Sequence, residues 1–281
     1  STKYISHMWA QRGAVKKRPI LWNEQEITSV LEKPIKYLGK TYNHMLTEQQ
    51  QMKQTAEIVK DSLKKIDRTY VGGRIKAWIV QNMLLARLMW PLTIYNFPQF
   101  RVEEIERKLT SHLKKWLGIP KSMSSDLMYA RSSVLQLPFS SVVEEAKVTK
   151  ARTQVMLEMS KDACIKNANI NLDAGRKWRV SVAVEEAKSQ LHLQEIAGIA
   201  NVGREGLGVH HRQYYSRSSE SEKRKLVVQK VREAEEHRRL VKISTLARQG
   251  RSLEWQVQQR KIKDADMRRT TESTFQFVLK A

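Results

Sequence analysis

The side chains best suited to chemistry in this chain are cationic. Arg74, Lys76 and Arg87 fall in one helix-patterned stretch, and Lys114 and Lys115 close another. Ammonium and guanidinium groups on one side of a helix can follow a phosphate backbone without reading bases. These five residues are therefore the candidate nucleic-acid contacts. The acidic residues are less suggestive. The seven aspartates stand at 61, 67, 126, 162, 173, 264 and 266, and none is adjacent to another. A two-metal phosphoryl-transfer centre needs carboxylates that converge on ions about 3.5–4 Å apart, and this spacing offers no such set. No serine, cysteine or histidine occupies a recognisable nucleophile turn, so no catalytic residue is expected. His210 and His211 are the only adjacent histidines, and no Cys/His spacing fits zinc. No metal site is expected either. Gly203, Gly206 and Gly208 match neither the dinucleotide fingerprint nor a P-loop, and no hydrophobic strand precedes them. They read as a flexible connection.

The elements that must carry the cations are helices. Met52, Ala56, Val59, Leu63 and Ile66 alternate at spacings of four and three, which predicts one apolar stripe over 48–67. Thr47 and Gln50 suggest a capping box at its start. Val71-Gly72-Gly73 breaks the chain. A second helix is predicted over 74–90, with Ile75, Trp78, Ile79, Ala86, Met89 and Trp90 inward, so that Arg74, Lys76 and Arg87 project outward. Pro91 should end or kink it. A third is predicted over 100–117, burying Val102, Ile105, Leu109, Leu113, Trp116 and Leu117. Arg101, Arg107, Lys108, Lys114 and Lys115 then lie on or beside its outer face, and Gly118 and Pro120 end it. Trp78, Trp90 and Trp116 sit at core spacing and read as packing residues. Residues 121–139 are mixed. Further helices are expected at 140–160 and 176–197, then a Gly-rich basic loop at 198–217. The last long helix, 218–249, has a thin apolar stripe and reads as an extended, partly solvated element.

Strand composition is confined to the N-terminal region, at 3–9 and 19–31, followed by EKPIKYLGKTYN at 32–43, a brief strand that turns at Gly39. The expected fold is mainly α: a small N-terminal β element at 1–46, a helical bundle at 47–120, a helical extension at 121–200 and a basic, partly extended helical region at 201–281.

The bulk numbers agree with a polyanion partner. The chain has 281 residues, 41% of them hydrophobic, and carries a net charge of +22. A core is affordable, and the basic field should concentrate polyanions at the surface, nucleic acid first among them through counterion release. The one cysteine, Cys164, cannot form an internal disulfide, which suggests a reducing compartment. The most apolar stretch, 77–97, is interrupted by Gln81, Asn82, Arg87 and Pro91. It reads as a core helix rather than a membrane span. No signal peptide is recognisable, and an intracellular setting, nuclear or cytoplasmic, is expected.

An ordered series of motifs resembles a known family. PIKYLGKTYN followed by DSLKKIDRTYVGGRIKAWIVQNMLLARLMWPLTIYNFP is similar to the palm edge and thumb of a reverse transcriptase from a non-LTR-like animal retroelement. WLGIPKSMSSDLMYARSSVLQLPFSSVVEEAKVTKAR resembles the stretch that follows the thumb, and GRKWR at 175–179 and GREGLG at 203–208 match further on. The resemblance implies that Tyr37, Leu38 and Gly39 form the primer-grip turn and that the helices after it grip a template–primer duplex, RNA–DNA hybrid or otherwise. It also implies that the catalytic carboxylates, with their Mg2+, belong to palm and fingers upstream of this chain. On that expectation the chain itself needs no cofactor and does not polymerise alone. The alternative is a helical nucleic-acid-binding or scaffold protein derived from such an element, with no polymerase role.

Overall fold

The computed structural model describes residues 21–23, 25–26, 34–37, 39–43, 48–131, 135–173, 175–197, 199–201, 208–210, 215–246 and 260–274. These are mainly α-helical, with four two-stranded sheets among them. The chain divides into two compact units, residues 1–57 and 58–281.

The first unit holds two hairpins. Strands β1 (Leu21–Trp22) and β2 (Gln25–Glu26) pair antiparallel, so the stretch at 19–31 contains a reversal instead of one strand. Asn23, with φ 48°, makes the turn in a conformation that asparagine tolerates better than most residues. Strands β3 (Ile35–Tyr37) and β4 (Lys40–Tyr42) also pair antiparallel, with Tyr37 opposite Lys40. Gly39 takes φ 82° in the connecting turn, a conformation open to glycine at little cost. The strand expected at 3–9 and the capping residue Thr47 lie outside the described residues. Helix α1 (Gln49–Asp67) begins in this unit and ends in the second.

In the second unit α1 buries Val59, Leu63 and Ile66, as its stripe requires. The next helix departs from expectation. It consists of α2 (Gly73–Ile79), a π-helical turn at Val80–Leu84, and α3 (Leu85–Ile94). The buried residues are Ala77, Val80, Leu84, Leu85, Leu88 and Leu92, whereas Trp90 is 59% exposed. A π turn widens the helix by one residue, but the departure begins before it, where Ala77 is buried and Ile75, Trp78 and Ile79 are only partly covered. Pro91 does not end the helix. Its missing donor leaves only the carbonyl of Arg87 without an intrahelical partner, and Arg87 faces solvent, where water can serve. Helix α4 (Gln99–Leu117) buries its six expected residues and ends at Gly118 in the left-handed region.

Then follow α5 (Ser125–Tyr129), β5 (Leu135–Gln136), α6 (Val142–Glu158), α7 (Ala163–Asn167), α8 (Val180–Ala197), β6 (Ile199–Asn201), β7 (Gly208–His210), α9 (Glu220–Ser244), β8 (Arg260–Lys261) and α10 (Asp264–Arg269). β6 and β7 pair antiparallel inside the stretch that reads as loop. Helix α6 packs on α4, α8 and α9, so helices on both sides of residues 120 and 200 share one unit. A core of Val148, Ala151, Val155, Val184, Val227 and Val231, among others, lies between α6, α8 and α9. Each valine among them contributes about 1.5–3 kcal/mol by burial.

Helix α9 is therefore solvated along one side, as expected, and packed along the other. Its stripe is completed by charges: Glu235 and Arg239 are buried along with Leu226 and Ile243. Lys147 Nζ on α6 donates to Glu235 Oε1 at 2.7 Å, and Arg239 Nη2 lies 2.7 Å from Glu144 Oε2. Arg232 donates to both Glu144 and Glu145. Burial lowers the pKa of Lys147, and Glu235 opposes that shift. Close by, burial raises the pKa of Glu106, although Ser141 Oγ and Val143 N both donate to its carboxylate.

Candidate nucleic-acid interface

Asp67, the last residue of α1, ties that helix to α4. Its Oδ1 accepts from Trp116 Nε1 at 2.6 Å. Its Oδ2 lies 3.2 Å from His112 Nδ1, and Lys115 Nζ is 3.7 Å from Oδ1. Its carbonyl accepts from Lys76 Nζ at 3.0 Å, a cation closing the carbonyl end of α1. Burial acts to raise the pKa of Asp67, but the Trp116 hydrogen bond and the nearby His112, Lys115 and Lys76 outweigh it and hold the carboxyl below its ordinary value. The charged form persists, and this one residue of α1 draws in Lys76 from α2 and Lys115 from α4.

Around this junction the outer faces are basic. Lys60, Lys64, Lys65 and Arg68 are exposed on the last turns of α1 and just beyond it, and Arg107, Lys108 and Lys115 are exposed on α4. The side chains of Lys60, Lys64, Lys65, Arg68 and Arg107 engage no ion pair or hydrogen bond among the described residues. Lys60 and Lys64 lie two turns and one turn before Asp67 on α1, and Lys108 and Lys115 lie one turn to either side of His112 on α4. An open depression of about 480 Å³ runs along α4, lined by Glu104, Arg107, Lys108, Ser111 and His112. Unpaired cations stay available to an incoming phosphate, whereas those in ion pairs must first give up a partner.

The five cations expected to contact nucleic acid fare differently. Arg74 does not project. Its Nη1 donates to the Met267 carbonyl at 2.7 Å and its Nε lies 3.7 Å from Glu272 Oε2. The C-terminal segment makes this possible by packing α10 on α2, where Asp264 also accepts from Trp78 Nε1 and Asn82 Nδ2, both at 3.1 Å. Lys76 projects only as far as the end of α1. Arg87 is exposed and unpaired among the described residues, between Met83 and Trp90, each 59% exposed. Lys114 is buried and donates to the carbonyls of Met123 and Lys121. Burial holds its pKa below the ordinary lysine value. Lys115, its neighbour, is exposed beside Asp67. Two of the five, Lys76 and Lys115, thus meet at one residue, while Arg74 and Lys114 turn inward.

Of the primer-grip trio, Tyr37 is 64% exposed on β3, Gly39 makes the turn, and Leu38 lies outside the described residues. The α1 cations were not singled out from sequence. Their signal was the polar side of the same heptad-like stripe, where Lys60, Lys64 and Arg68 recur every four residues.

Among the described residues no group of three or more His, Cys, Asp or Glu side chains is placed to hold a metal ion. Among them, too, no helix is long and apolar enough to cross a membrane. Cys164 is exposed. Comparison with family models, with curated proteins and with solved structures finds no match to this chain.

Proposed function

We propose that this chain binds the backbone of a nucleic-acid duplex through the joined outer faces of α1 and α4, as a non-catalytic, thumb-like portion of a retroelement-type reverse transcriptase. The observation that carries the reading is the run of unpaired, exposed cations Lys60, Lys64, Lys65, Arg68 and Arg107 around the Asp67 junction. The net charge of +22 supports the same partner, since folding consumes several cations internally and still leaves this face free. The motif series noted above supports the parent class. The partner is a duplex, RNA–DNA hybrid or other, held through phosphates and without strong sequence preference.

The test is equilibrium binding of the full chain to a blunt RNA–DNA duplex by fluorescence anisotropy. Engaging about five or six phosphates should lower affinity on the order of a thousandfold between about 50 and 200 mM salt. The triple variant Lys60→Glu, Lys64→Glu, Arg68→Glu should bind much more weakly and show a shallower salt slope, while circular dichroism and melting stay near wild type. Unchanged binding by a folded triple variant would remove the α1–α4 face from consideration.

A further inference from the structure

The turn after α1 carries a side chain that the fold does not use. Tyr70 is fully exposed, at 107% of its reference area, and the adjacent Val71 is 41% exposed. Tyr70 makes no hydrogen bond and no ring or cation contact among the described residues. The backbone that presents it is nonetheless held on both sides. Before it, Thr69 N and Thr69 Oγ1 both donate to the Ile66 carbonyl, at 3.1 and 2.6 Å, and Lys76 Nζ fastens the Asp67 carbonyl. After it, Gly73 sits so close to α4 that a Cβ there would stand 1.8 Å from the Trp116 carbonyl oxygen. The ring therefore projects from a pinned turn directly beyond Lys64, Lys65 and Arg68. Glu272, whose carboxylate lies against the Gly72 backbone, is already paired with Arg74 at 3.7 Å.

We propose that Tyr70 is a stacking platform for an unpaired base, so that the chain recognises a junction where a duplex continues into single strand. A flat ring offered to solvent at the end of a basic track is the arrangement by which sequence-neutral proteins hold unpaired nucleotides. The cations track phosphates, and the ring takes the face of the first base that has no partner. This deepens the duplex-binding reading and rests on it. The ring on its rigid turn loses little freedom on stacking, because the backbone is already ordered.

The experiment compares a blunt RNA–DNA duplex with the same duplex carrying a short single-stranded overhang whose first base is 2-aminopurine. Wild type should bind the overhang substrate about five- to a hundredfold tighter than the blunt one and quench its fluorescence. Tyr70→Ala should lose both the extra affinity and the quenching while binding the blunt duplex as wild type does. Tyr70→Trp should retain both. If the blunt duplex binds but the overhang adds nothing, or if Tyr70→Ala keeps the gain, the stacking proposal is wrong and the duplex reading stands. If neither substrate binds at low salt, both fall.

Discussion

Single residues decide how the cationic face is held. Asp67 is the hub, since its carboxylate meets Trp116, His112 and Lys115 while its carbonyl meets Lys76. A carboxyl whose folded pKa is depressed adds stability above its unfolded pKa and loses it as pH falls through the folded value. For Asp67 that contribution is complete above the ordinary value of 3.8 and is lost as the pH falls from there through the depressed folded value. Asp67→Asn should therefore melt lower than wild type at neutral pH, and the two melting temperatures should converge as the pH falls toward about 2. A gap that persists in acid would mean that Asp67 acts by shape and not by charge. Gly73 is the second such residue. Its closeness to the Trp116 carbonyl leaves no room for a Cβ, so Gly73→Ala must push α2 away from α4, at a cost of about 1–3 kcal/mol. Urea denaturation would show it as a lowered midpoint with little change in slope. Lys114 and Lys115 show how little adjacency means on a helix: one step of about 100° sends one ammonium under the surface and the other into water.

Elements are where a hydropathy reading meets its limits. The stripes of α1 and α4 are apolar, and the buried residues follow them closely. Helices α6 and α9 bury charge against charge, so the face that packs looks polar in sequence. Lys147 with Glu235 and Glu144 with Arg239 complete the contact between them. Removing one member of a buried pair strands the other. Glu235→Gln, which leaves Lys147 without its countercharge, should cost about 3–5 kcal/mol, whereas the double variant Lys147→Met, Glu235→Leu should recover most of that. Chemical denaturation of the two variants beside wild type measures the difference. A single variant no less stable than wild type would mean that the pair contributes nothing to holding α9. In α2–α3 the packing face lies across the helix from the one that hydropathy picks: Ala77 is buried ahead of the π turn at Val80–Leu84 while Ile75, Trp78 and Ile79 are only partly covered, and Trp90 on the predicted face stands in solvent.

At the scale of the molecule, the excess of 51 lysines and arginines over 29 acids is spent in two ways. Some cations are absorbed by the fold, in the α6–α9 contact and where α10 closes on α2 through Arg74. Others remain free on the outer faces of α1 and α4. Composition alone cannot separate the two, because a buried arginine and a phosphate-binding arginine are the same letter. The helical class, the apolar stripes of 48–67 and 100–117, the Gly39 turn and the stop at Gly118 were all legible in the sequence. Each rests on spacing or backbone preference within a few residues, and such forces act before any tertiary contact exists. Which cations face solvent was settled only by the tertiary structure. That outcome depends on partners distant in the chain, such as Met267, nearly two hundred residues away, for Arg74, and local spacing carries no trace of them.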